Sequence, residues 1–246
     1  MRQPTKIAKL LMAYGRKLEK ESDEEEWDAS EFSPIEFFYG VIFDQGIRAD
    51  MAWRAPKELR KRIHTLDPRK IAKMKEVALR KAIRYPWSLH RYRRKMPSWL
   101  IEASKQLVEK YDGSPRNIWS DNPRADDLQR RFDEFEGIGQ KKASMATNIL
   151  VRDYGIRVRG VDLSGIDVSS DVQVRRVFLR SGLIKRDSVE ATLLVAKRLN
   201  PRYPGELDLP AWYIGRNFCH PRNPDCPKCP LTSACLKRIH LNAESA

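Results

Sequence analysis

Phe135-Glu136-Gly137-Ile138-Gly139-Gln140-Lys141-Lys142-Ala143 is the stretch from which the rest of the chain can be organised. Two glycines one residue apart let the backbone turn tightly and come close to a ligand. Ile138 between them is placed to anchor the turn in a core. Apolar positions on either side recur at helical spacing, over Leu128 to Phe135 and over Ala143 to Val151. A helix that begins directly after the turn aims its free amides and positive dipole end at it, so a phosphate is the natural occupant. A lone Gly-x-Gly is also a common turn, and alone it does not identify a ligand.

Further helices follow outward from this segment. Ile7, Leu10, Leu11, Tyr14 and Leu18 form an N-terminal stripe, and an acidic run from Glu21 to Asp28 reads as a linker. Ser33-Pro34-Ile35-Glu36 is a capping box with proline at the first helical position, and it opens an apolar helix through Phe43. Leu100, Ile101, Ala103, Leu107, Val108 and Tyr111 predict another helix, with Gly113 as its terminator. Leu193, Leu194, Ala196 and Leu199 mark one more. The single tempting strand is Ile156 to Val161, so the expected fold class is all-α. No solenoid-period repeat is evident.

A length of 246 residues suits one large domain or two small ones, and 41% hydrophobic residues supply a sizeable core. The formal net charge of +14 favours a polyanionic partner, most simply nucleic acid. No apolar run approaches the roughly eighteen residues of a membrane span. The N-terminus lacks a signal-peptide core, so an intracellular setting is expected: cytoplasm or nucleoid in a prokaryote, nucleus in a eukaryote. Between Arg84 and Trp99, basic residues alternate with Tyr85, Trp87, His90, Tyr92 and Trp99. That mixture suits phosphates and unstacked bases, and it equally suits a solvated basic face with its rings turned inward.

All four cysteines lie near the C-terminus, at Cys219, Cys226, Cys229 and Cys235, spaced C-x6-C-x2-C-x5-C. Pro221, Pro224, Pro227 and Pro230 make regular structure there unlikely. The segment is too short and polar for its own core, so a metal centre is the better support. Zinc sites with four cysteines usually pair two C-x2-C hooks, whereas only Cys226 and Cys229 form one here. Iron–sulfur clusters tolerate uneven spacing and are favoured over zinc, with metal-free thiols as the third reading.

The hairpin and the cysteine pattern, in this order, resemble those of the endonuclease III-like DNA glycosylases of the helix-hairpin-helix superfamily. The resemblance covers roughly Pro34 to Arg238. It implies a two-lobed helix-hairpin-helix DNA glycosylase fold with a C-terminal iron–sulfur cluster loop at 219–235. The implied organisation is an N-terminal helical extension and acidic linker over 1–33 and a glycosylase region over 34–246. Within that region a central helical lobe with the hairpin spans roughly 45–155, and N- and C-terminal segments form the cluster lobe. DNA with an extruded base occupies the cleft between lobes in this family.

The family hairpin reads L-P-G-V-G-R-K-T-A, which places its nucleophilic lysine on Lys141. Adjacent Lys142 helps depress that amine, and Gly137, Gly139, Gln140 and Lys142 are expected to meet DNA. Glu136 stands where the family has proline. The family aspartate, in V-D-T-H-I-F-R-V, falls on Asp171 in Ser170-Asp171-Val172-Gln173-Val174-Arg175-Arg176-Val177, with Gln173 replacing histidine. Asp167 and Asp162 are rival positions, because the segment before Asp171 is longer than usual. Phe43-Asp44-Gln45 resembles S-A-Q, making Gln45 the residue that fills the vacated DNA stack. Arg222 and Lys228 are candidates for backbone phosphates. The implied cofactor is a 4Fe-4S cluster on the four cysteines. The implied partner is double-stranded DNA containing a damaged base or abasic site, bound by a monomer with no membrane association. Three activities fit these residues: a glycosylase with AP-lyase activity through Lys141, a monofunctional glycosylase using water activated by Asp171, and a non-catalytic binder of DNA lesions or structures.

Overall fold

A computed structural model describes residues 3–24, 33–160 and 163–239. Of the acidic run, residues 21–24 belong to the N-terminal helix rather than a linker and residues 25–28 lie outside the described residues, as does Asp162. The described residues contain helices and no strand. At the one predicted strand, the chain over 156–160 makes only an isolated parallel bridge between Arg159 and Arg124. There the Arg159 amide donates to the Pro123 carbonyl at 2.9 Å. A strand needs a neighbour to satisfy both its edges, and a single bridge propagates none.

The chain forms two compact units. One spans residues 28–159. Its helices are α1's successors in sequence: α2 (Pro34–Phe43), α3 (Ala49–Ile63), α4 (Pro68–Ile71), α5 (Glu76–Arg84), α6 (Lys95–Tyr111), α7 (Ala125–Asp133) and α8 (Gln140–Arg152), where α1 is Gln3–Glu24. Ser33 caps α2, accepting from the Glu36 amide at 3.5 Å, and Pro34 takes the first helical position. From Phe37 to Phe43 every residue of α2 is buried. A helix apolar all round belongs at the centre of a unit, with others packed about it. Phe38 meets Phe135 edge-on at 4.9 Å between centroids, which ties the residue before the glycine turn to this central helix. α6 ends in two left-handed residues, Asp112 and Gly113, and the Gly113 amide donates to the Leu107 carbonyl at 2.9 Å.

The other unit joins the two ends of the chain, residues 1–27 and 160–246. It contains α1, α9 (Val172–Ser181), α10 (Val189–Leu199) and α11 (Asp208–Asn217). Ile7, Ala8 and Leu11 of α1 are buried in one core with Val174, Val177 and Phe178 of α9 and Ile214 of α11. Gln3 Nε2 reinforces this by donating to the Ser181 carbonyl at 2.7 Å and the Ala234 carbonyl at 3.1 Å. α1 is thus built into the same core as the helices near the cysteines.

Candidate active site and cysteine loop

The turn before α8 differs at its two glycines. Gly137 has φ +80°, and a Cβ there would lie 2.9 Å from the Trp99 ring, so backbone and packing both require glycine. Gly139 is the α8 N-cap with φ −122° and ψ −177°, and a Cβ there would meet nothing within 4 Å. Protein packing therefore does not demand glycine at 139. Ile138 is buried, as its place between the glycines predicts. Gln140 Nε2 donates to Ser144 Oγ at 2.9 Å, one turn along α8. Glu136 is exposed, and its amide donates to Gln106 Oε1 at 2.8 Å.

Lys141 and Lys142 leave the first turn of α8 into different settings. Lys141 is partly exposed, and its Nζ lies 3.1 Å from Asp44 Oδ2. Asp44 is the C-cap position of α2 and is nearly buried. Lys142 is 5% exposed. Its Nζ donates to the Ile42 carbonyl at 2.9 Å and to Gln45 Oε1 at 3.4 Å. The same ammonium lies 5.8 Å from the Trp99 ring centroid. Burial pushes Lys142 down to about 8, against the attraction of Asp44 and with the repulsion of Lys141. The expectation that Lys142 meets DNA does not suit this burial, because the side chain turns into the protein.

Gln45 follows Asp44 in the loop after α2, and residues from the basic aromatic stretch hold that loop. His90 is buried, and its Nδ1 accepts from the Tyr92 amide at 3.0 Å. Nε2 therefore carries the proton and donates to the Gln45 carbonyl at 2.9 Å. Burial lowers the His90 proton affinity, consistent with this neutral form. Arg91 Nη1 reaches the Gly46 carbonyl at 3.3 Å. Within this stretch His90 is buried, while Tyr85 and Trp87 are 54% and 59% exposed.

In the other unit, Asp171 is the N-cap of α9. Its Oδ1 accepts from the amides of Gln173 at 2.7 Å and Val174 at 3.0 Å. Both bonds fall on one oxygen, which fixes the carboxylate and leaves Oδ2 for other chemistry. The rival Asp167 has its carboxylate 3.0 Å from Lys197 Nζ. Gln173 Oε1 is engaged by Arg176 of the same helix.

The cysteine loop leans on α9. Arg176 Nε donates to the Cys219 carbonyl at 2.6 Å. Arg180 donates to the carbonyls of His220 at 2.6 Å and Pro221 at 2.9 Å. Both guanidiniums are buried, a cost these carbonyls offset. Neither arginine was singled out as a loop support from sequence, since the carbonyls they bind leave no side-chain pattern.

Cys219, Cys226, Cys229 and Cys235 are free thiols, and all line one pocket with Arg180 and Phe218. Burial pushes the Cys229 thiol up to about 11, and the charges of the other three cysteines add to the rise. Cys235 is raised for the same leading reason. Thiolates gathered here need a cationic centre among them. Two donors already point at sulfur: Arg180 Nη1 at 3.7 Å from Cys219 Sγ and the Lys237 amide at 3.3 Å from Cys235 Sγ. Among the described residues, no three His, Cys, Asp or Glu side chains converge as a site for a single metal ion. The pocket lining offers four sulfurs and no carboxylate or imidazole, a donor set suited to a sulfur-ligated group. Arg222 is exposed in this loop, and Lys228 pairs with Asp225 at 3.3 Å.

No protein-family model and no curated protein matches the chain. Among solved structures, it is similar to a trapped endonuclease III–DNA covalent intermediate described as an estranged-adenine complex. The TM-score is 0.63 at 21% identity, over 91% of this chain and 94% of that one. It is also similar to a thermostable thymine-DNA glycosylase, with a TM-score of 0.65 at 14% identity over 95% of each chain. No described helix is long and apolar enough to cross a membrane. Both likenesses run along nearly the whole chain: the described residues are helical without a strand, and the chain shares the fold of these two structures.

Proposed function

We propose that this protein is a DNA repair glycosylase with AP-lyase activity, acting as a monomer on duplex DNA that contains a damaged base or abasic site. The observation that carries the reading is the partly exposed amine of Lys141, set on the first turn of a helix behind a glycine turn whose outer position is open. Amides at the start of α8 and Gly139 grip a phosphate, with Gly137 shaping the turn and Gln140 beside it. Gln45 fills the stack that the extruded base leaves.

Asp44 Oδ2 pairs with Nζ of Lys141 at 3.1 Å, an ion pair that opens as DNA enters, and the freed ammonium gives its proton to water. The amine then attacks C1′ of the nucleotide, and the C1′–N bond breaks with its electron pair leaving on the base, which is protonated. Ring opening gives the Schiff base. Loss of a C2′ proton then expels the 3′ phosphate by β-elimination and cuts the strand. Asp171 stabilises the positive charge that develops on the sugar.

Cys219, Cys226, Cys229 and Cys235 hold a 4Fe-4S cluster in this reading. With four thiolates it supplies structural support and a charged centre for the loop, whose Arg222 faces DNA phosphate. Purified protein that lacks iron and any broad absorption near about 400 nm excludes the cluster.

Borohydride trapping on duplex DNA with an abasic site tests the lysine. Wild type is expected to form a covalent adduct and Lys141→Ala to lose it; equal trapping removes Lys141 from the role. A second reading follows from the same ion pair. If Lys141 stays bound to Asp44, Asp171 activates water and the base is released without strand scission. Measuring base release and nicking together across oxidised, deaminated, alkylated and mismatched duplexes separates the two and identifies the substrate.

A further inference from the structure

We propose that Lys142 is a positioning residue that holds Gln45 ready for insertion into DNA and ties it to the helix turn carrying Lys141. The proposal rests on the reading of Gln45 as the residue that fills the DNA stack.

Lys142 is a buried cation that the proposed chemistry does not use. Taking an ammonium out of water is costly unless something in the protein needs it. Its hydrogen-bond partners are a carbonyl and an amide: Ile42 O at 2.9 Å and Gln45 Oε1 at 3.4 Å. The Trp99 face, 5.8 Å away, supplies a further weak attraction. The charged and titratable groups around it are Asp44 after α2, Lys141 on its own helix and the neutral His90 from the segment between α5 and α6. A methionine would fill much of the same space without the desolvation cost. The ammonium adds a donor that reaches the end of the Gln45 side chain.

Gln45 is thereby gripped at both ends. His90 Nε2 fixes its backbone carbonyl at 2.9 Å, and Lys142 takes its side-chain oxygen. A glutamine free to rotate loses side-chain entropy on entering a DNA stack, and one already held loses less. With Oε1 committed to Lys142, the Nε2 hydrogens are the donors it brings to the DNA. Adjacent Lys141 binds adjacent Asp44, so the two pairs form a clasp between the loop after α2 and the start of α8.

The test uses full-length wild type, Lys142→Met, Gln45→Ala and the double variant. Hydrogen exchange in the DNA-free protein is expected to quicken about tenfold at residues 45–47 in Lys142→Met, with exchange elsewhere unchanged. Binding to a duplex with a tetrahydrofuran abasic analogue opposite 2-aminopurine reports insertion as a fluorescence rise. Lys142→Met should reduce that rise, and adding it to Gln45→Ala should reduce it no further. Unchanged exchange at 45–47, additive fluorescence losses, or faster exchange throughout residues 33–159 overturns the proposal. A wild-type fluorescence rise in Gln45→Ala removes the insertion role itself, and the exchange measurement still judges the clasp.

Discussion

Lys141 and Lys142, consecutive on the first turn of α8, bind Asp44 and Gln45, consecutive in the loop after α2. One lysine is partly exposed and the other buried. Neighbouring residues on a helix differ in direction by about 100°. A doubled lysine can therefore present one amine outward and spend the other on structure.

The fixed carboxylate of Asp171 makes stability and chemistry separable. Asn caps helices about as well as Asp, so Asp171→Asn is expected to change stability by less than about 0.5 kcal/mol. Base release should fall roughly a hundred- to ten-thousand-fold, because the charge is lost from the site. Thermal unfolding beside single-turnover kinetics checks both numbers. An Asn variant with wild-type rates would return the role to another acid.

The two glycines of the turn should fail differently. Gly137→Ala combines a left-handed backbone with a Cβ 2.9 Å from Trp99, and should cost roughly 1–3 kcal/mol of stability. Gly139→Ala meets nothing in the protein, so stability should hold while duplex affinity falls. Fluorescence anisotropy with unfolding curves distinguishes these outcomes. Unchanged affinity in Gly139→Ala would remove the phosphate site from this turn.

Buried titratable groups predict a pH-stability curve with structure at both ends. Lys142 falls from 10.5 to about 8 on folding, so between those values the unfolded chain binds a proton that the folded chain releases. Stability relative to Lys142→Met should rise with pH across that window, by up to roughly 3 kcal/mol. His90 lies below its ordinary 6.5 because it is buried. Its contribution is present above about pH 6.5 and is lost as pH falls through the folded value. Urea unfolding at stepped pH, for wild type, Lys142→Met and His90→Leu, measures both effects.

The helices visible in sequence were those with large apolar stripes and clear ends. Ser33 and Gly113 mark boundaries because their roles depend on local backbone geometry. α3 was not marked in this way: its buried face is Ala52, Ala55, Pro56 and Leu59, small residues that make a weak pattern, with a proline inside the helix. The turn and the cysteines were legible because glycine and thiol chemistry leave spaced signatures. The Lys141–Asp44 pair was not, since a single ion pair between distant positions has no periodicity. The same holds for His90, which in sequence was one ring in a basic run and in the structure fixes the Gln45 carbonyl.

Joining α1 to residues 160–239 in one core has a consequence for synthesis on the ribosome. The buried face of α1, with Ile7, Ala8 and Leu11, emerges before residues 28–159, and its partners in α9 and α11 emerge after them. Residues 28–159 can assemble their own core in the interval. During translation the nascent chain thus carries an uncovered apolar helix ahead of a folded unit until α9 and α11 are made.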